Sequence, residues 1–125
     1  MKENKYQIIL YGATGFTGKL CAEYFHRNYP DLNWAIAGRN KEKLEGLKTE
    51  LNLDCDIFVA NSEDYEAIQN FVKQTKVVLS AAGPFARYST KVVEACVECK
   101  THYTDITGEN HWVNGLIDRF HEKAA

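Results

Sequence analysis

Residues Ile8–Lys19 read IILYGATGFTGK, an apolar run that leads into a glycine-rich turn and then into the start of an amphipathic segment. The pattern predicts a strand, a turn and a helix, with glycines at every third position of the turn. A helix N-terminus offers unpaired N–H groups and the positive end of the helix dipole, which suits a pyrophosphate. We therefore predict a dinucleotide site with contacts from this turn, at Gly12, Thr14, Gly15, Phe16, Thr17 and Gly18.

The glycine spacing, G-x-x-G-x-x-G, differs from the G-x-G-x-x-G of the best-attested dinucleotide fingerprint. The flanking strand and helix therefore support the prediction more than the glycines do, and the alternative is a turn that binds no ligand. Apolar residues of the helix recur at a spacing that we expect to face a sheet: Phe16, Leu20, Cys21, Tyr24 and Phe25.

The rest of the chain repeats the alternation of strand and helix. Further strands are predicted at Trp34–Ala37, Asp56–Ala60, Val77–Ala82 and Thr101–Ile106. Helices are predicted at about Thr17–Tyr29, Lys41–Leu51, Tyr65–Gln74 and Ser89–Cys99, with a last one around Trp112–Phe120. The succession predicts one α/β domain over residues 1–125, a doubly wound, Rossmann-like parallel sheet with strand order 3-2-1-4-5 and helices on both faces.

The end of the second strand indicates which dinucleotide binds. An acidic residue about 20 positions after the glycines would accept hydrogen bonds from the 2′-hydroxyl of NAD. The chain instead has Arg39, 21 positions after Gly18, and a guanidinium there suits the 2′-phosphate of NADP. Lys41 and Lys43 add positive charge nearby, although a solvated helix face explains them better.

Two further strand ends are candidate contacts. Asn61 follows the third strand, where its amide can touch the adenine; the alternative is that Asn61 or Ser62 caps the next helix. The fourth strand ends in small residues, Ala82, Gly83 and Pro84, which suit a backbone close to the nicotinamide half, or a simple turn. Because strand order reverses between the first and fourth strands, we expect their two loops to face each other across the site.

Composition excludes several partners and compartments. The net charge is −2, with 15 basic and 17 acidic residues spread along the chain, so no basic stripe indicates nucleic acid. No apolar run is long enough to span a membrane and no secretion signal is visible, so we expect a cytoplasmic protein with its four cysteines as thiols. The single C-x-x-C, at Cys96 and Cys99, falls late in a helix, and no metal site is predicted.

Five segments in order resemble the N-terminal part of saccharopine dehydrogenase-like oxidoreductases. They are GATGFTG from Gly12, AGRN from Ala37, GPF from Gly83, VVEAC from Val92 and HYTDITGE from His102. The resemblance covers nearly the whole chain, and GPF with the last segment makes it specific. It implies an NADP-binding Rossmann domain, relatives that include saccharopine reductases and trans-acting enoyl reductases, and a longer second domain, for substrate or dimerisation, absent from these residues.

No catalytic residue is predicted. Short-chain dehydrogenases use a Y-x-x-x-K pair, and no tyrosine here has a lysine four places on. Asp105, Thr107 and Glu109 lie at the end of the fifth strand, where a helix cap is favoured over contact with nicotinamide or substrate. Arg87 and Tyr88 could reach an acidic substrate, although an interface with the second domain is favoured for them. Two classes remain open: the NADP domain of an oxidoreductase, inactive alone, or a non-catalytic nucleotide-sensing or scaffold domain.

Overall fold

The computed structural model describes residues 4–83, 85–105 and 109–124. The strands are β1 (Tyr6–Tyr11), β2 (Trp34–Gly38), β3 (Asp56–Val59), β4 (Thr75–Ser80) and β5 (His102–Asp105). The helices are α1 (Phe16–Asn28), α2 (Lys41–Leu51), α3 (Tyr65–Val72), α4 (Phe85–Tyr88), α5 (Thr90–Cys99) and α6 (Asn110–Ala124). The strands pair in parallel in the order β3-β2-β1-β4-β5, which confirms the predicted doubly wound sheet.

The central strand β1 sends side chains alternately into two cores. Ile9 and Tyr11 lie in one cluster with Phe71 of α3, and the same cluster contains residues of α5. Leu10 points to the opposite face and lies in a second cluster with Leu44 of α2. Burial on both faces explains why β1 is a nearly continuous apolar run without a polar side.

The packing of α1 differs from the prediction. Of the five residues expected to face the sheet, Cys21 and Phe25 pack against the core, but Phe16, Leu20 and Tyr24 are 84%, 52% and 55% exposed. The buried residues of α1 are Gly18 and Ala22. A Cβ atom added at Gly18 would lie 2.0 Å from the carbonyl oxygen of Gly12, so only a small residue lets the helix approach this closely. Three of the large apolar side chains, Phe16, Leu20 and Tyr24, therefore lie on the outer side of α1.

The start of α3 also differs from the alternatives considered for it. Its cap is Asp64, whose side chain accepts a hydrogen bond from the Ala67 N–H at 3.1 Å. The interpretation of Asn61 or Ser62 as the cap is wrong, because the Asn61 Oδ1 atom accepts from the Glu63 N–H at 2.9 Å, in the turn that precedes the helix. The cap role is thus filled without Asn61.

The segment after β4 is more ordered than a simple turn. Residues Phe85–Tyr88 form the short helix α4, which the sequence patterns did not predict, directly before α5. β4 begins and ends two residues earlier than predicted. Pro84, Ile106, Thr107 and Gly108 lie outside the described residues, so the predictions for them stay predictions.

Three global features bear on function. No helix within the described ranges is long and apolar enough to cross a lipid bilayer. The cysteines at positions 21, 55, 96 and 99 are present as thiols. Among the residues that the structure describes, no cluster of three or more histidine, cysteine, aspartate and glutamate side chains could hold a metal ion.

Gly18→Ala should destabilise the domain by about 3 kcal/mol or more, because the added methyl group meets backbone atoms that cannot move aside cheaply. Gly46→Ala is the matched control: Gly46 lies inside α2 with nothing within 4 Å of its Cβ position, so alanine should stabilise by about 0.5–1 kcal/mol. Urea unfolding of the two variants measures both effects. Equal stabilities would contradict the close approach of α1 to the sheet.

Candidate dinucleotide site

The carboxyl ends of the central strands form one continuous edge. Backbone hydrogen bonds extend past the strands, from the Gly12 N–H to the Ala37 carbonyl at 2.9 Å and from the Ala81 N–H to the Tyr11 carbonyl at 2.8 Å. A Cβ atom at Gly12 would lie 2.7 Å from the Ala82 nitrogen, and the φ angle of Gly12 is +80°. The loops after β1 and β4 therefore face each other at close range, as the strand order predicted, and Gly12 is the residue type that this position requires.

Two adjoining cavities open along this edge. The outer cavity, of about 760 Å³, is lined by Thr14, Gly15, Arg39, Asn40, Lys41, Glu42, Lys43 and Asn61. The inner cavity, of about 180 Å³, is lined by Tyr11, Gly12, Thr14, Gly15, Gly38, Arg39, Ser62, Ala81, Ala82, Gly83 and Tyr88. Thr14, Gly15 and Arg39 line both cavities, so the glycine turn and the arginine lie at the boundary between them.

Most of the predicted cofactor contacts lie at this edge. Gly12, Thr14, Gly15, Arg39, Asn61, Ala82 and Gly83 line one or both cavities. Phe16, Thr17 and Gly18 line neither; they form the first turn of α1, where only their backbone N–H groups are candidates for a ligand. Pro84 is outside the described residues.

The start of α1 fits a diphosphate. Its N-cap is Gly15, which makes no side-chain cap hydrogen bond, and its first turn contains no acidic residue. Only the Gly12 carbonyl oxygen, at 3.7 Å, lies near the Cβ position of Gly15, so the space in front of the turn is open. By contrast, the side chains of Asn40 and Asp64 cap α2 and α3. The N–H groups that a capping side chain would otherwise satisfy at α1 are available to an anion.

The outer cavity is rich in positive charge. Arg39 follows β2 directly, and Lys41 and Lys43 lie in the first turn of α2, all with exposed side chains. Glu42 is an acidic residue on the same rim. The Asn40 side chain caps α2 by accepting from the Lys43 N–H at 3.1 Å. The cap fixes where α2 begins and thereby the spacing of the cationic side chains around the cavity.

Helix α4 is held in place by Glu109, which directly precedes α6, and by Trp112 of α6. The Glu109 Oε2 atom accepts a hydrogen bond from the Phe85 N–H at 2.5 Å, and the rings of Phe85 and Trp112 stack with centroids 6.0 Å apart. The Trp112 indole N–H donates to the Thr90 hydroxyl at 2.9 Å. Glu109 directly precedes α6, where a helix cap is expected, and its side chain contacts the first residue of α4. It therefore positions the start of α4.

A buried polar network lies behind α4 at the ends of β4 and β5. The hydroxyl oxygens of Ser80 and Ser89 are 2.7 Å apart, and the Tyr103 hydroxyl donates to the Asp105 carboxylate at 2.6 Å. Burial, followed by the Asp105 carboxylate, raises the pKa of Tyr103 well above its ordinary value. Tyr103 is thus held as a neutral donor, and Asp105, a residue considered for contact with the nicotinamide side, contacts this tyrosine.

Sequence reasoning missed several residues of the inner cavity. Tyr88 is half-buried and lines the inner cavity with Ser62 and Arg39, and its predicted place at an interface with a second domain stays a prediction. The pattern gave no signal for α4, because four residues after a proline show no helical period. The position of Tyr88, shortly after the loop that follows β4, was the one available clue.

The crevice at the carboxyl ends of β1, β2 and β4, with an uncapped glycine turn and a nearby arginine, defines a dinucleotide-binding domain of the doubly wound class. Residues 8–125 match the family described as the saccharopine dehydrogenase NADP binding domain. The chain belongs to this family, which confirms the resemblance seen in its sequence, and the cofactor that the family implies is NADP.

Relatives and solved structures agree with this assignment. Trans-acting enoyl reductases of Mycobacterium tuberculosis and Mycobacterium leprae are 36% and 35% identical to the chain, in alignments 126 positions long that cover 98% of it. The chain spans about 30% of the length of these curated relatives. The apo histidine-tagged saccharopine dehydrogenase (L-Glu forming) of Saccharomyces cerevisiae matches with a TM-score of 0.74 at 18% identity, over 89% of this chain and 24% of that one. This structural match concerns the fold alone.

Another solved structure shows how widely the fold is shared. A short-chain dehydrogenase/reductase (ethylated) from Veillonella parvula matches with a TM-score of 0.68 at 15% identity, over 86% of this chain and 48% of that one. At this identity the match concerns the backbone architecture alone.

Tyr11, which lines the inner cavity and is only 3% exposed, should make the stability of the folded chain depend on pH. Burial raises the pKa of Tyr11 from 10.0 to about 12; the Arg39 charge opposes the rise and Tyr88 adds to it. The folded state therefore holds this proton more strongly than the unfolded state, so the stability it contributes is present below pH 10 and is lost as the pH rises towards 12.

Urea unfolding across this pH range should show wild-type stability falling more steeply than that of Tyr11→Phe. The difference should be about 1.4 kcal/mol per pH unit, the value for one titrating group. Parallel stability curves for the two proteins would mean that the Tyr11 hydroxyl ionises as readily in the folded chain as in the unfolded one.

Proposed function

We propose that this chain is the NADP(H)-binding domain of an oxidoreductase. In this proposal the glycine turn at Thr14 and Gly15 binds the diphosphate, and Arg39 binds the 2′-phosphate. The observation that carries the proposal is that the turn and the arginine line the same two cavities at the uncapped start of α1. One site thus combines N–H donors for one phosphate group with a guanidinium for the other.

Charge supports the choice of the outer cavity for the phosphorylated ribose. Arg39, Lys41 and Lys43 surround it, with Glu42 as the acidic residue on its rim. A planar guanidinium can bind phosphate oxygens through two parallel hydrogen bonds, and the lysines add less directional attraction. We assign Asn61, which lies on the same rim, to the adenosine side of the ligand.

The small residues at the end of β4 suit the other half of the cofactor. Ala82 and Gly83 line the inner cavity beside Gly12, and neither has a side chain long enough to fill it. The nicotinamide supplies hydride chemistry when bound, and the contribution of this chain is to hold and orient it. Glu109 supports that task, because its hydrogen bond to the Phe85 N–H fixes the segment after Gly83.

For the reaction of the whole protein we propose hydride transfer from NADPH to an enoyl substrate. This follows the named activity of the trans-acting enoyl reductases that are 36% identical to the chain. Since the chain spans about 30% of their length, we propose that a further domain completes the substrate site. We expect these 125 residues to bind the cofactor without turning over substrate.

We also propose a cytoplasmic location. Four cysteines as thiols are compatible with a reducing compartment. NADPH, NADH and the domain that binds the substrate would then be present in the same compartment as the chain. Alkylation of the thiols in freshly lysed cells, read by mass spectrometry, tests this directly.

Arg39→Ala should weaken NADPH binding about 10- to 100-fold, the range expected for losing charge-assisted hydrogen bonds, and should change NADH binding less than about threefold. Fluorescence titration of the 125-residue chain with NADPH and NADH measures both affinities. Arg119→Ala is the matched control, since it removes the same charge from α6, and Arg119 lines neither cavity.

Equal affinity of the wild-type chain for NADPH and NADH would overturn the assignment of Arg39. Tight binding of NADPH by a full-length relative that shows no reductase activity with any enoyl substrate would instead favour a nucleotide-sensing domain over an enzyme.

A further inference from the structure

Arg39 meets an aromatic ring from the opposite side of the crevice. Its guanidinium carbon lies 5.6 Å from the centroid of the Tyr88 ring, within the distance of about 6 Å at which a cation is attracted to an aromatic face. Arg39 follows β2 and Tyr88 ends α4, so the contact joins the loops of two different strands. Both residues line the inner cavity.

The Tyr88 ring is held more firmly than the arginine. Arg39 is exposed on a loop, whereas Tyr88 is half-buried in a helix whose first residue is tied to Glu109 and stacked on Trp112. A long, exposed side chain thus rests against a half-buried ring, and the contact restricts the orientations of the guanidinium.

We propose that Tyr88 is a positioning residue for NADP selectivity, which holds the Arg39 guanidinium at the boundary between the two cavities so that its charge faces the 2′-phosphate. The proposal rests on the proposed function, since it acts through Arg39. A guanidinium already oriented before the ligand arrives loses less conformational entropy on binding, and that gain applies only to the phosphorylated dinucleotide.

A second arginine provides the control. The Arg87 guanidinium carbon lies 5.2 Å from the same ring, but Arg87 is exposed and lines neither cavity. Removing Arg87 deletes a positive charge near the ring and leaves the Arg39 contact in place. If Tyr88 acts through Arg39, the two arginines must differ in their effect on selectivity.

The test is the ratio of NADPH to NADH affinity, measured by fluorescence titration on the 125-residue chain. Tyr88→Leu keeps apolar bulk but has no aromatic face, and it should weaken NADPH binding about two- to tenfold with NADH binding unchanged. Tyr88→Phe keeps the ring and should retain the wild-type ratio. Arg87→Gln should also retain it.

A double-mutant cycle separates this proposal from the one on which it rests. In the Arg39→Ala background, Tyr88→Leu should have no further effect on the ratio, because the group it positions is gone. If Arg39→Ala alone leaves the ratio unchanged, the 2′-phosphate assignment fails. Two results would overturn only the role of Tyr88, provided that Arg39→Ala lowers the ratio. In the first, Tyr88→Leu leaves both affinities unchanged; in the second, it weakens the binding of NADPH and NADH equally at unchanged thermal stability.

Discussion

The contact between the backbone of α1 and the turn after β1 is the constraint on which the rest of the structure depends. With Gly18 packed so closely under the Gly12 carbonyl that a methyl group would collide with it, the helix begins after a turn of only four residues from the end of the central strand. Because Gly15 forms the cap position without a side chain, the first turn of the helix opens towards the crevice. The same three glycines thus serve packing and ligand access, with Gly12 and Gly18 in the first role and Gly15 in the second.

Around this turn, the neighbouring strands supply complementary chemistry. β2 ends in a cationic side chain, β4 ends in small residues that leave space, and β3 ends in the polar Asn61. In a parallel sheet these ends lie side by side, so residues far apart in sequence form one site without any long loop. In the site that we propose, the choice between closely related dinucleotides is made by a few side chains at the β2 end.

Sequence patterns predicted the sheet well because buried parallel strands are short apolar runs, and amphipathic helices such as α3 show their core face by period. They failed for α1, where close packing selects Gly18 and Ala22 for the inner face and leaves large apolar residues outside. They also failed to predict α4, because a helix of four residues is too short to show a recurring pattern of apolar residues. The position of the Tyr88 ring was not predictable because it depends on tertiary contacts. The glycine turn and Arg39 could be predicted to lie together because their positions follow from spacing along the chain, and in the structure they line the same two cavities.

The brace between α6 and α4 has a thermodynamic consequence. Glu109 and Trp112 both hold Phe85, so the position of α6 is transmitted to the helix that carries Tyr88. Linkage is reciprocal: a ligand that binds one arrangement of α4 more tightly must stabilise the matching arrangement of α6 by the same free energy. Through Phe85, α6 would therefore respond to any ligand in the crevice that distinguishes between arrangements of α4.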